Sequence, residues 1–222
     1  PDGYVKRVDN CVKTCNDGTA YDECSDDKPL YCDNDVLVNK ASVCGCPSGS
    51  KYKQTGELCL DLSNPDIGYI EEKVHELVNL QRQSNDLSKL SYDTKLVQIA
   101  RVHSQDMAKN DFFSHDNLRG EDPTNRANKV GYNCRKNYGT YHTEGIAENI
   151  HQGWTYGTTW YTNGVESSKE WLMPDEIAGS AVTGWMNSPG HRKNILTNTY
   201  DKEGIGVAVA SNGAVYITQD FC

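Results

Sequence analysis

Apolar residues recur at three- and four-residue steps at Ile67, Ile70, Val74, Leu77 and Val78, the spacing of one buried helix face. Asn64-Pro65-Asp66 offers a cap before this helix, and Asn85-Asp86 breaks it. A second stripe, Leu96, Ile99, Ala100, His103 and Met107, predicts a helix that opens at Ser91 or Asp93. His103 falls on its apolar face and is read as a core histidine that hydrogen-bonds locally. The periodicity ends at Phe112-Phe-Ser-His115-Asp, so His115 stands at a helix exit. Pro123 to Val130 reads as a short helix, and Gly131 to Cys134 as a turn. Asp175 to Asn187 predicts a helix with Ile177, Ala181, Val182 and Trp185 inward. Ser188-Pro189 then starts a short helix, Ser as cap and Pro at the first position, with His191 in its first turn.

Period-two patterns close the chain. Gly204 to Ala210 is one strand and Ala214 to Phe221 the next, joined at Ser211-Asn-Gly213, where Asn-Gly supplies the positive φ of a tight hairpin. The stretch from Gly153 to Lys169 has little periodicity and reads as a surface loop. Its Trp154, Trp160 and Tyr161 either form an aromatic binding lip or pin the loop to the body. Helices around a short antiparallel sheet imply an α+β fold with α/β/α layering.

Residues 1–62 differ. Turn signals recur at Asp2-Gly, Asp17-Gly, Pro47-Ser-Gly and Thr55-Gly, with short extended runs such as Val36-Leu-Val38 between them. Seven of the nine cysteines lie here: Cys11, Cys15, Cys24, Cys32, Cys44, Cys46 and Cys59. Only Cys134 and Cys222 follow. That density predicts a disulfide-rich, mostly β/loop module in an oxidising compartment. Cys44-Gly-Cys46 is too tight for a zinc knuckle, so disulfides are preferred to a metal. The expected division is 1–62 and 63–222, with a linker over Leu60 to Asp66. Cys134 with Cys222 is the first pairing expected, and Cys11 the next choice for the odd thiol. An odd count also opens self-association through a bridge between chains.

The net charge of −9 and the lack of a basic tract disfavour nucleic acid and anionic membranes as partners. No apolar run approaches the ~20 residues of a membrane span. No signal peptide stands at Pro1, and no Asn-x-Ser/Thr acceptor occurs. The acidic residues from Asp22 to Asp35 lack the EF-hand order and read as a solvated face rather than a Ca²⁺ site.

Three motifs stand in sequence: Phe112-Phe-Ser-His115-Asp, Gly145-Ile-Ala-Glu148-Asn-Ile150, and Trp185-x-x-Ser188-Pro-Gly-His191-Arg-x-Asn194-Ile. With the closing strand pair they resemble the CAP superfamily of cysteine-rich secretory proteins, venom allergens, pathogenesis-related proteins and simpler prokaryotic relatives. The resemblance covers about Ile67 to Cys222. It implies an α/β/α sandwich behind the cysteine-rich module. That module is similar to small cysteine-rich modules of secreted archaeal proteins. The family cleft holds two histidines and two glutamates. His115, Glu148 and His191 match three of them, with Asn149, Ser188 and Asn194 in support. Ser188 occupies the place of the second glutamate, for which Glu166 or Glu176 is the nearest substitute.

Two imidazoles and a carboxylate suit Zn²⁺, with open positions for water. The same residues can instead hydrogen-bond one another to fix the short helices. The reading that follows is a secreted or cell-surface bacterial or archaeal protein, more binding or structural than enzymatic. Its partner is an extracellular protein, lipid or polymer. The alternatives are a metal-dependent extracellular hydrolase using His115, Glu148 and His191, and a self-assembling surface or filament subunit.

Overall fold

The structure, a computed structural model, describes residues 4–7, 10–137 and 139–222, and for 4–7 and 10–12 the backbone alone. The chain divides into a smaller unit of residues 1–65 with 158–171, and a larger unit of 66–157 with 172–222.

The smaller unit is built of two-stranded pieces. β1 (Tyr4–Arg7) pairs with β2 (Asn10–Lys13), β3 (Leu30–Asp33) with β4 (Val36–Asn39), and, after the single turn α1 (Ala41–Cys44), β5 (Tyr52–Thr55) with β6 (Leu58–Asp61). Its interior is made largely of cysteine: Cys15, Cys32 and Cys44 are buried beside Ala20, Ala41 and Leu62. Disulfides join Cys15–Cys32, Cys24–Cys44 and Cys46–Cys59. Each closes a loop of 13 to 20 residues, worth roughly 3 kcal/mol apiece by unfolded-chain entropy. Such small pieces bury too little apolar area to hold without them. The side chain of Cys11 lies outside the described residues, and the other eight cysteines pair among themselves.

The larger unit has the expected three layers. α2 (Ile67–Gln83) opens on Asp66, whose carboxylate accepts from the Tyr69 amide at 3.1 Å. The short β7 (Ser91–Tyr92) leads to α3 (Thr94–Asn110), capped by Asp93. α4 (Pro123–Lys129) is capped by Asp122. The strands β8 (Arg135–Asn137) and β9 (His142–Glu144) form a small ribbon before β10 (Ala147–Trp154). In the chain β11 (Tyr156–Thr162) and β12 (Val165–Trp171) come next, and from residue 158 they belong to the smaller unit; the larger unit resumes with α5 (Pro174–Asn187), α6 (Pro189–Ile195), β13 (Lys202–Val209) and β14 (Ala214–Phe221). The sheet order is β10-β14-β13-β7, antiparallel except for the β13–β7 pair.

β14 is buried at every residue. Its odd positions, Val215, Ile217 and Phe221, pack with α2 and α5, and its even positions, Ala214 and Tyr216, with Met107 of α3. Helices on both faces explain why the alternation carries no solvent side. α3 lies so close to β13 that glycine is required there. A Cβ on Gly206 would stand 2.0 Å from the Arg101 amide nitrogen, and one on Gly204 2.2 Å from that of Val97. Cys134–Cys222 closes an 88-residue loop in this unit, the pairing expected from the sequence.

Three expectations are corrected. The stretch from Gly153 to Lys169 is not a loop: β11 and β12 form a hairpin around Asn163-Gly164, both at positive φ. Asn-Gly between residues rich in Thr, Tyr and Trp is itself the hairpin signal. The turn after β13 spans 210–213, and only Gly213 takes positive φ. Finally, the Ser188 hydroxyl makes no capping bond to α6.

Candidate functional site

The site forms where two layers meet at β10, an edge strand of the sheet. Successive β10 residues face opposite sides. Glu148 meets the segment after α3 and α4, while Asn149 meets α6.

On the first side, His115 Nδ1 donates to Glu148 Oε1 at 2.7 Å. Arg126 Nη2 donates to the other oxygen, Oε2. Arg126 Nη1 donates to the carbonyls of His115 at 2.6 Å and Glu121 at 3.0 Å. One guanidinium therefore fixes both the carboxylate and the backbone of the histidine that the carboxylate holds. The side chain of Glu148 is 1% exposed and that of His115 is 49% exposed. A solvent-facing imidazole thus rests on a buried ion pair, with Nε2 left available. The bond to Glu148 pulls the His115 pKa above its ordinary value against the opposing effect of burial.

On the second side, Asn149 Nδ2 donates to the His191 carbonyl at 3.2 Å and to Gln219 Oε1 at 3.0 Å. Asn194 Nδ2 donates to Asn149 Oδ1 at 2.9 Å and to the Glu148 carbonyl at 3.2 Å. These amides fasten α6 to β10 and so place His191. Burial, and next the nearby charge of His115, lower the His191 pKa. His151, farther along β10, is lowered by burial and then by His191.

The sequence reading missed Arg126, His151 and Asp220. Asp220 is opposite Glu148 in the β10–β14 register and fully buried, close enough to that carboxylate for the two to share a proton. Burial first, then the charge of Glu148, raises its pKa well above the ordinary range, with Arg126 opposing. The folded chain therefore keeps this proton at pH values where the unfolded chain, near pKa 3.9, has lost it. The group costs stability increasingly as pH rises from about 4 toward the folded pKa. Asp220→Asn removes that cost. Its melting temperature is expected to exceed wild type at pH 7, and the gain should shrink at pH 4. Thermal melts at both pH values check this.

Neither proposed substitute for the second glutamate joins the site. Glu166 pairs with Lys169 at 3.3 Å, and Glu176 accepts from the Met173 amide at 2.7 Å. His103 is a core histidine as expected, with Nε2 donating to the Ser114 carbonyl at 2.9 Å. Among the described residues no group of three His, Cys, Asp or Glu side chains is arranged to hold a metal ion. Both Glu148 oxygens are already engaged.

The model of the cysteine-rich secretory protein family, CAP, matches residues 75–221. The chain belongs to the CAP family. Its CAP domain is 34% identical over 156 residues to the uncharacterized protein YkwD of Bacillus subtilis (strain 168), covering 70% of this chain and 48% of that protein. It is 28% identical over 152 residues to the uncharacterized membrane protein YlbC of the same organism, covering 68% of this chain and 34% of that protein. The chain thus spans half or less of the length of these relatives. Among solved structures, an outer surface protein from Borrelia burgdorferi aligns with TM-score 0.52 at 17% identity, over 70% of this chain and 93% of that one. That likeness concerns the CAP fold alone.

Proposed function

We propose that this chain is an extracytoplasmic CAP-domain binding protein whose contact point is the His115–His191 imidazole pair. The observation that carries the reading is the contrast within one hydrogen bond: an exposed His115 ring held at Nδ1 by the buried Glu148–Arg126 pair. Burying a charged pair beneath a solvent-facing ring fixes the orientation and the tautomer of that ring. This is how outer-shell carboxylates serve metal-bound histidines. Four disulfides fit an oxidising compartment.

The ligand class proposed for the pair is a divalent cation, Zn²⁺ in the first instance. His115 and His191 would hold it, and Glu148 would act through His115. A bound Zn²⁺ would supply a Lewis-acidic contact for oxygen groups of an extracellular partner. Catalytic zinc sites use three protein ligands. Two imidazoles favour exchangeable binding over hydrolysis.

Native mass spectrometry tests this. Protein desalted without metal is expected at the metal-free mass. Added Zn²⁺ should give one equivalent, lost in His115→Ala and in His191→Ala. Full zinc uptake by the double variant would contradict the assignment.

A further inference from the structure

A cavity of about 680 Å³ lies along the outer side of α3, and neither His115 nor His191 lines it. Ile99 and Val102 of α3 and Val130 after α4 give it apolar surface. Val102 is 62% exposed and Val130 65%, more than such residues usually leave to water in one place. Five cationic side chains line it, Lys95, Lys109, Arg119, Arg126 and Lys129, against two carboxylates, Asp106 and Glu121. The chain as a whole carries −9, so this is a local reversal of sign. Glu121 is occupied by Arg119 and Lys129. Among the described residues no ion pair engages Lys95 or Lys109.

Two lining residues also carry buried nitrogens without partners, Nδ1 of His103 and Nε of Arg126. His103 is 1% exposed and Arg126 8%. Their other nitrogens are engaged, His103 Nε2 with the Ser114 carbonyl, and Arg126 with Glu148 and with the carbonyls of His115 and Glu121. These two nitrogens lie beneath the cavity surface and are not among its contact atoms. The size falls in the range of about 300–1,000 Å³ typical of small-molecule sites, which pair an apolar lining with a few convergent polar groups.

We propose that this cavity binds a small organic anion, its apolar body on Ile99, Val102 and Val130 and its acidic head at one end of the cavity against either Lys95 or Lys109, which stand about 21 Å apart along α3. The cavity and the His115 cleft share Arg126, which turns its terminal nitrogens to Glu148 and leaves Nε unbonded. The assignment does not depend on metal binding at the histidine pair.

Two fluorescent probes of one shape separate the contributions: 8-anilinonaphthalene-1-sulfonate, which carries a negative charge, and the uncharged N-phenyl-1-naphthylamine. Titration into the full chain, with near-UV circular dichroism to confirm native packing, is expected to show saturable binding of the sulfonate at one site. Val102→Glu places a charge on the apolar surface and should weaken both probes about tenfold or more. The double variant Lys95→Glu/Lys109→Glu should weaken the sulfonate about tenfold and leave the neutral probe within about twofold. Lys95, Val102 and Lys109 are all exposed, so these variants should retain the native fold. Absence of saturable sulfonate binding by wild type would overturn the proposal. So would binding indifferent to Val102→Glu, or equal losses of both probes in the lysine variant.

Discussion

Glu148→Ala is expected to lower stability by about 3–5 kcal/mol, the cost of leaving one member of a buried ion pair without its partner. Arg126 is the group left behind, 7% exposed, with Nη2 deprived of its acceptor and Nε already unbonded. The same change frees the His115 ring, since Glu148 is the partner of Nδ1. The bond to Glu148 raises the His115 pKa in the folded state. Its stabilisation is therefore fully present below the unfolded histidine pKa, near 6.5, and fades as pH rises through the folded value. The deficit of Glu148→Ala, measured by urea unfolding at pH 5.5 and at pH 8.5, should accordingly be larger at the lower pH. Asp220 adds to this pH dependence in the same sense, because losing Glu148 relieves part of its burial cost at the higher pH. Without Glu148 its own proton is held less tightly, because that charge is the second cause of its raised pKa.

Gly206→Ala should be as damaging, by more than about 3 kcal/mol. Overpacking usually costs 1–3 kcal/mol when neighbouring side chains can yield, but here the neighbour is helix backbone. The added carbon would meet the Arg101 nitrogen at 2.0 Å and the Ala100 carbonyl carbon at 2.3 Å. Relief requires α3 to lift from β13. That would pull Ser104 from its bonds to the Gly206 carbonyl and Thr218, both 2.8 Å. Chemical denaturation of the variant, with loss of near-UV signal, checks this. An alanine variant as stable as wild type would show that the helix does not pack at backbone contact.

What was legible in the sequence was local or carried by motif. The stripes of α2, α3 and α5 set their buried faces, because a helix that buries one side must repeat its apolar residues every three or four positions. Asp66, Asp93 and Asp122 cap the helices that follow them. His115 and Glu148 came together as the family resemblance implied. Other features depend on long-range placement. The α/β/α layering was expected, but the burial of β14 on both faces is not legible from its own alternating pattern. Arg126 sits on a seven-residue helix with no distinguishing neighbour, and its role exists only because α4 docks beside β10. Asp220 becomes significant through its register with Glu148, 72 positions earlier in the chain. The β11–β12 hairpin is different: its Asn163-Gly164 signal was present, and the aromatic and threonine-rich flanks were read as loop composition instead of strand propensity.

The same placement alters the part assigned to Glu148. Sequence makes it a third ligand beside two histidines. In the fold its oxygens belong to His115 and Arg126, so in the proposed site it acts through the ring it orients.

The measurement that tests this account most directly is long-range ¹H–¹⁵N correlation of the histidine side chains, recorded with and without one equivalent of Zn²⁺. The account predicts that the metal shifts Nε2 of His115 and one ring nitrogen of His191, while His115 Nδ1 stays protonated toward Glu148. Metal on His115 Nδ1, or zinc uptake that leaves both rings unchanged, would contradict it.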